Sequence, residues 1–309
     1  MSQEILFLVE KCSHCVSYYD ANTGEKLHTI ELPEYPHEVA FDSENKFAYL
    51  GHYGVETSGH IGDGGHTIMV LDIAKREHVR TIDVHPYNRL HGMNMDKHDR
   101  LCALSEDKAT LLSFDDPRTA EAPDYAVPTG GVKAHLFALS QDGEFAYAMN
   151  LLSHTVTKIK PRDATFQPVA VSPGKKPEGY CLINDDKHLV VTNRLSNTIS
   201  LIHTASMEVI KEGTTRNDAT RIYQARDQRL VVTNYGNNNV SIFNSKTLQE
   251  EACIEMGARP IALSFHPIKN WAYVSQDDDQ MAILDLDDNT VLKRFATGSE
   301  PDVSRVFIA

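Results

Sequence analysis

The chain has 309 residues, of which 41% are hydrophobic and 24% charged, and its formal net charge is −13. This is an ordinary soluble composition, and its acidity speaks against nucleic acid and anionic membranes as partners, because both require a basic face. The apolar run at residues 5–9 is too short for a signal-peptide core or a membrane span, so with Met1 as the true start we expect a cytoplasmic protein.

The first expected element is the strand at residues 5–9. Cys12-Ser13-His14-Cys15 follows, with the spacing of a redox or zinc half-site. No second half-site accompanies it, so a tight turn between two strands is the competing reading. Cys102, Cys181 and Cys253 are scattered, and five cysteines in all suit a reducing compartment better than a disulfide framework.

From residue 36 onward the sequence repeats. The segments starting Pro36-His37, Leu90-His91, Ala134-His135 and Pro177-Glu178 read alike, and each precedes a short apolar strand by about fourteen residues. The clearest unit is Leu189-Val190-Val191-Thr192-Asn193, a turn, then Thr198-Ile199-Ser200-Leu201-Ile202. It recurs as Leu230-Val231-Val232-Thr233-Asn234, a turn, then Val240-Ser241-Ile242-Phe243. β-Branched runs around an Asn/Gly/Ser turn mark hairpins, and no long window has helical periodicity.

Further units fall near 219–220, 261 and 302, so seven of them span the chain at steps of about forty residues, with one longer step. Four strands per unit is the arithmetic of an all-β, seven-bladed β-propeller formed as one domain over residues 1–309. The chain begins at a second strand and ends, over residues 301–309, with one strand left over. That strand should complete the blade opened by the N-terminus and close the ring.

The Val-Thr-Asn strings at 191–193 and 232–234, together with Gln141-Asp142-Gly143-Glu144-Phe145-Ala146-Tyr147, resemble the YVTN-repeat and lactonase-like β-propellers. The resemblance implies the same fold. It leaves function open, since such propellers include lactone hydrolases, lyases and binding proteins.

A ring of blades turns the repeated position into a ring of side chains at one channel mouth. With 15 histidines in the chain, finding His at three given positions by chance is on the order of one in ten thousand. His37, His91, His135 and Glu178 are therefore the expected ligands of a divalent transition metal (Zn, Fe, Mn, Ni or Cu), with Asp302 behind or beside His37. A structural role for histidines at a channel mouth is the alternative. Polar residues ending the second strands form a second candidate ring. In it His52 and Glu106 would move protons, and Asn150, Asn193 and Asn234 would bind substrate with Arg194, Arg221 and Tyr235. A glycine-rich insertion at residues 53–66 could act as a lid carrying His60 and His66.

These parts suit a metal-dependent enzyme acting on a small oxygenated, anionic molecule, with lactone hydrolysis the leading reaction. A lyase or isomerase that stabilises an enolate would use the same parts. A non-catalytic propeller scaffold is the third reading.

Overall fold

The computed structural model describes residues 3–308; Met1, Ser2 and Ala309, the last of which belongs to the expected closing segment, lie outside the described residues. Seven four-stranded antiparallel sheets are arranged as blades. In six of them the four strands follow one another in sequence. In the first blade Pro301–Ile308 is the innermost strand, and Glu4–Glu10, Cys15–Asp20 and Lys26–Glu31 complete it. Phe307 faces Ile5, Val306 faces Leu6 and Arg305 faces Phe7 across the closure, as the leftover strand predicts. The only helical segment among the described residues is a 3-10 turn at Lys11–Ser13, and no helix is long and apolar enough to cross a membrane.

Alternation along each strand explains the ring. Successive residues point to opposite faces of a sheet. Thus Ile5, Phe7 and Val9 pack against the second blade with Ala48, Leu50 and Met69, while Leu6 and Leu8 pack against the last blade with Tyr273 and Met281. Each of the seven blade-to-blade seams has one apolar cluster of this kind. The core is thus circumferential, and the axis is left to polar groups.

The innermost strands are Pro36–Phe41, Leu90–Met95, Ala134–Leu139, Pro177–Ile183, Ala219–Gln224, Pro260–Phe265 and Pro301–Ile308. The repeated position is the second residue of every one. Pairing with the next strand breaks there in all seven blades, between Pro36 and Val39 or Leu90 and Met93, for example. Such a bulge re-aims a side chain. In six blades the residue two positions earlier is left-handed: Tyr35, Arg89, Lys133, Lys176, Asp218 and Glu300 have φ of 51–60°. Crowding explains Gly179 after Glu178, since a Cβ there would stand 2.4 Å from the Thr220 carbonyl oxygen of the next blade.

Candidate functional site

The bulges direct His37, His91, His135, Glu178 and Asp302 into one cavity of about 430 Å³ at a mouth of the channel. The three imidazoles lie in a row, tilted to one another by 58° and 37°. Ring centroids are 4.2 Å apart for His37 and His91, and 3.7 Å apart for His91 and His135. Tyr53 stands edge-on against His37 and His91 and donates its hydroxyl to Glu106 Oε1 over 2.8 Å.

Carboxylates back the two outer rings. His135 Nδ1 lies 2.5 Å from Glu106 Oε2, and Lys133 Nζ donates to Glu106 Oε1 over 2.7 Å. Burial would raise the Glu106 pKa, but the His135 and Lys133 contacts outweigh it and hold the carboxyl at about 2. An ionised carboxylate only accepts, so Nδ1 of His135 carries the proton, and in the neutral ring Nε2 is a free lone pair. That Nε2 lies 3.9 Å from Glu178 Oε1. His37 Nδ1 is 2.9 Å from Asp302 Oδ2 but off the line of a hydrogen bond. Asp302 Oδ1 is likewise buried without a hydrogen-bond partner among the described residues.

His91 is 2% exposed, and its Nδ1 also has no partner among the described residues. Burial, then the charges of His135 and His37, hold its pKa well below the usual histidine value, so the ring is neutral near pH 7. Glu178 is driven the other way. Burial would raise its pKa, but Arg194 and His135 overcome that and keep it ionised. Arg194 bridges Glu178 Oε2 at 2.8 Å and Asp218, and lies over the Tyr235 ring at 5.2 Å. Tyr235 is kept protonated mainly by burial, and its hydroxyl makes no hydrogen bond to the described residues.

Several expected site residues stand elsewhere. His52 ends its strand beside Thr67, Nδ1 to Oγ1 3.1 Å, and does not line the cavity. Glu106 sits behind His135, where it orients the ring and does not itself meet a ligand. Asn150, Asn193 and Asn234 turn into their own blades. Their Nδ2 groups donate to Thr157, Ser200 and Ser241 over 3.0, 3.0 and 2.8 Å, tying the second strand to the third. The insertion covers the mouth with Glu56, Thr57 and Ser58. His60 and His66 face outward, about half exposed, near Glu56 and Asp83 respectively. Arg89 pins the loop by donating to the carbonyls of His60 and Gly62 over 2.6 and 2.7 Å. Arg194, Arg221, Tyr235 and Asp302 do line the cavity. Lys11, Tyr53 and Glu300 join them: Lys11 and Tyr53 follow the second strand as Arg194 and Tyr235 do, and Glu300 shares the left-handed position of Asp218.

The donor types suit a transition metal: neutral imidazole, ionised carboxylate and carboxylates behind the rings. The spacing does not close. No three of His37, His91, His135 and Glu178 present donor atoms that all lie within 4.8 Å of one another. Cys12, Glu56 and Glu300 do meet that spacing at the rim. There the Glu300 oxygens already hold the Lys11 ammonium and the Cys12 thiol, and burial with Glu300 pushes that thiol up to about 12. Cys15 turns away to Glu10 Oε2 at 3.2 Å, so the Cys12/Cys15 segment is a tight turn with no paired half-site.

The same architecture recurs in a protein of unknown function from Desulfotomaculum acetoxidans DSM 771. The two superpose with a TM-score of 0.80 at 15% sequence identity, over 99% of this chain and 98% of that one. No curated protein matches the sequence. Residues 130–306, from the third inner strand to the closing strand, match the family described as YNCE-like beta-propeller. That is more than half of the chain and includes His135, Glu178 and Asp302, so this chain belongs to the YNCE-like beta-propeller family.

Proposed function

We propose that the histidine-lined mouth is a hydrolytic site for a small neutral lactone. The observation that carries this is the Glu106–His135 contact, which fixes the tautomer and leaves His135 Nε2 as a base facing the cavity. Nε2 takes a proton from water, the resulting hydroxide adds to the lactone carbonyl, and the Tyr235 hydroxyl donates to the developing oxyanion. Collapse of the adduct breaks the ring C–O bond. His135 returns the proton to the leaving alkoxide, giving a hydroxycarboxylic acid. Glu178, held by Arg194, orients the attacking water beside Nε2. Six carboxylates against four cations line the cavity, which favours a neutral substrate over an anionic one and repels the acidic product.

The test is hydrolysis of simple five- to seven-membered lactones, followed by acid release. His135→Gln should lower kcat/KM by about 10²- to 10⁴-fold, the usual contribution of a general base, while the fold survives. No turnover by the unaltered protein, or equal turnover by the variant, sinks the reading.

A second reading keeps the divalent transition metal, because the buried Nδ1 of His91 lacks a partner and carboxylates stand behind the two outer rings. Binding requires the imidazoles to turn so that their donor atoms converge. Metal analysis of protein purified without chelator tests it: stoichiometric metal that is lost in His91→Ala supports it, and a metal-free protein that takes up none of the five ions removes it.

A further inference from the structure

The channel has a second, larger cavity at its other end, about 670 Å³ in volume. Its lining differs in kind from the histidine mouth. Phe41, Tyr180, Tyr223 and Phe265 give it aromatic walls, and Leu263 and Val306 add aliphatic surface. The charged groups are three arginines, Arg221, Arg226 and Arg305, against one carboxylate, Glu38, with His266 beside them. Glu38 is already committed, since Arg221 Nη2 donates to its Oε1 over 2.6 Å. His266 is committed too: its Nδ1 accepts from the backbone of Ile268 and Lys269, and its Nε2 lies 3.2 Å from Glu4. In a chain with net charge −13, an unbalanced positive cavity calls for an explanation.

Arg226 is exposed and donates to the Pro267 and Ile268 carbonyls, which leaves Arg305 as the cation without a partner. It sits on the closing strand with its guanidinium 4.8 Å from the centre of the Phe41 ring, half buried, and forms no ion pair or side-chain hydrogen bond with the described residues. Burial lowers its pKa, and the only countervailing charge is that of Asp42. Asp42 is itself taken up by the backbone of Lys46 and Phe47. Two further donors stand in the same cavity. The Tyr180 hydroxyl accepts from Asn94 at 2.9 Å and the Tyr223 hydroxyl from the Leu263 backbone at 3.4 Å, so each keeps its own O–H for another acceptor. A guanidinium and two phenolic O–H groups within apolar walls are matched by a planar oxyanion on an apolar body.

We propose that this end of the channel is a second ligand site, for a small carboxylate with an aromatic or bulky apolar body, held at its head by Arg305. The Arg221–Glu38 pair is the partition between this site and the histidine mouth, since Arg221 lines both cavities. The two ends therefore take ligands of opposite character: an anion here, a neutral molecule at the acidic mouth.

Calorimetric titration of the full chain tests this with three probes: 4-phenylbutyrate, its neutral counterpart 4-phenyl-1-butanol, and acetate. The acid should bind at least tenfold more tightly than either the alcohol or acetate, because only the acid has both the head and the body. Arg305→Gln should bring the acid down to the alcohol's affinity and leave the alcohol unchanged, while His135→Gln should leave both unchanged. Equal affinity of acid and alcohol for the unaltered protein overturns the proposal without recourse to any variant. So does an acid affinity that survives Arg305→Gln or falls with His135→Gln.

Discussion

Arg221 reaches Glu38 across the central channel, Nη2 to Oε1 2.6 Å, although 183 residues of chain separate them. Both side chains are about nine-tenths buried. The pair joins the fifth and first innermost strands in chain order, which lie on different sides of the ring, and Arg221 lines both cavities. Arg221 Nε, also buried, has no partner among the described residues.

Removing one member strands the other charge. Glu38→Leu should destabilise the protein by about 3–5 kcal/mol, the usual penalty for an uncompensated buried ion. The double replacement Glu38→Leu with Arg221→Met should cost much less than the sum of the single changes. Denaturant unfolding of all four proteins measures the coupling, and additive losses would mean that the two groups act independently.

Closure makes a second prediction. Residues 303–308 supply most of the inner strand of the first blade and cover Leu6 and Leu8 with Val306. Deleting them exposes a strand edge and its apolar neighbours, so the truncated protein should aggregate or melt at a markedly lower temperature. An unchanged melting curve would show that the ring does not depend on the closing strand.

The insertion is held by few contacts. Arg89→Ala removes the donors to His60 and Gly62 and leaves Lys133 Nζ on the Ser58 carbonyl. Amide hydrogen exchange over residues 57–62 should speed up at least tenfold, with little change elsewhere. Exchange at the unaltered rate would mean that the covering segment is positioned by its own turns.

Acid should weaken the fold in two stages, in the presence of chelator. His91 has a folded pKa below its ordinary 6.5, so the unfolded chain binds the extra proton and stability falls as pH drops below about 6.5. Glu106 is depressed from 4.5 to about 2, so its contribution is present above 4.5 and is lost as pH falls from there through about 2. His91→Gln should flatten the denaturation midpoint between pH 7 and 5 and leave the lower stage in place. A variant with the same slope as the parent over that interval would assign the upper stage to another group.

The repeat made the blades, the closure and the inward-facing position legible, because the bulge recurs at the same place in each unit and carries His37, His91, His135, Glu178 and Asp302 with it. The strand-end residues were harder. Asn150, Asn193 and Asn234 face the residue before the repeated position and tie down their blades, but in the third blade that place belongs to Ser105, and Glu106 stands one residue further on. Hydroxyls seven residues on, Thr157, Ser200 and Ser241, capture the three asparagines. Glu106 lies past the strand end, its backbone N–H on the Arg89 carbonyl as that of Leu151 is on Lys133, and from there its carboxylate reaches His135 and Lys133. Arg221 with Glu38 and Arg305 with Phe41 were beyond reach, since no local pattern joins residues that only ring closure brings together.

The bulge at the second residue of each inner strand gives the channel mouth seven interchangeable sockets, each filled from its own blade. Five hold ionisable groups; Thr220 and Ile261 fill the other two. Because the apolar seams run around the circumference and the sockets lie inside them, one socket can be refitted without rewriting the seams. Ile261, about 8% exposed at the edge of the cavity, is the place where a new chemical group can be installed from a single blade while the other six continue to carry the ring.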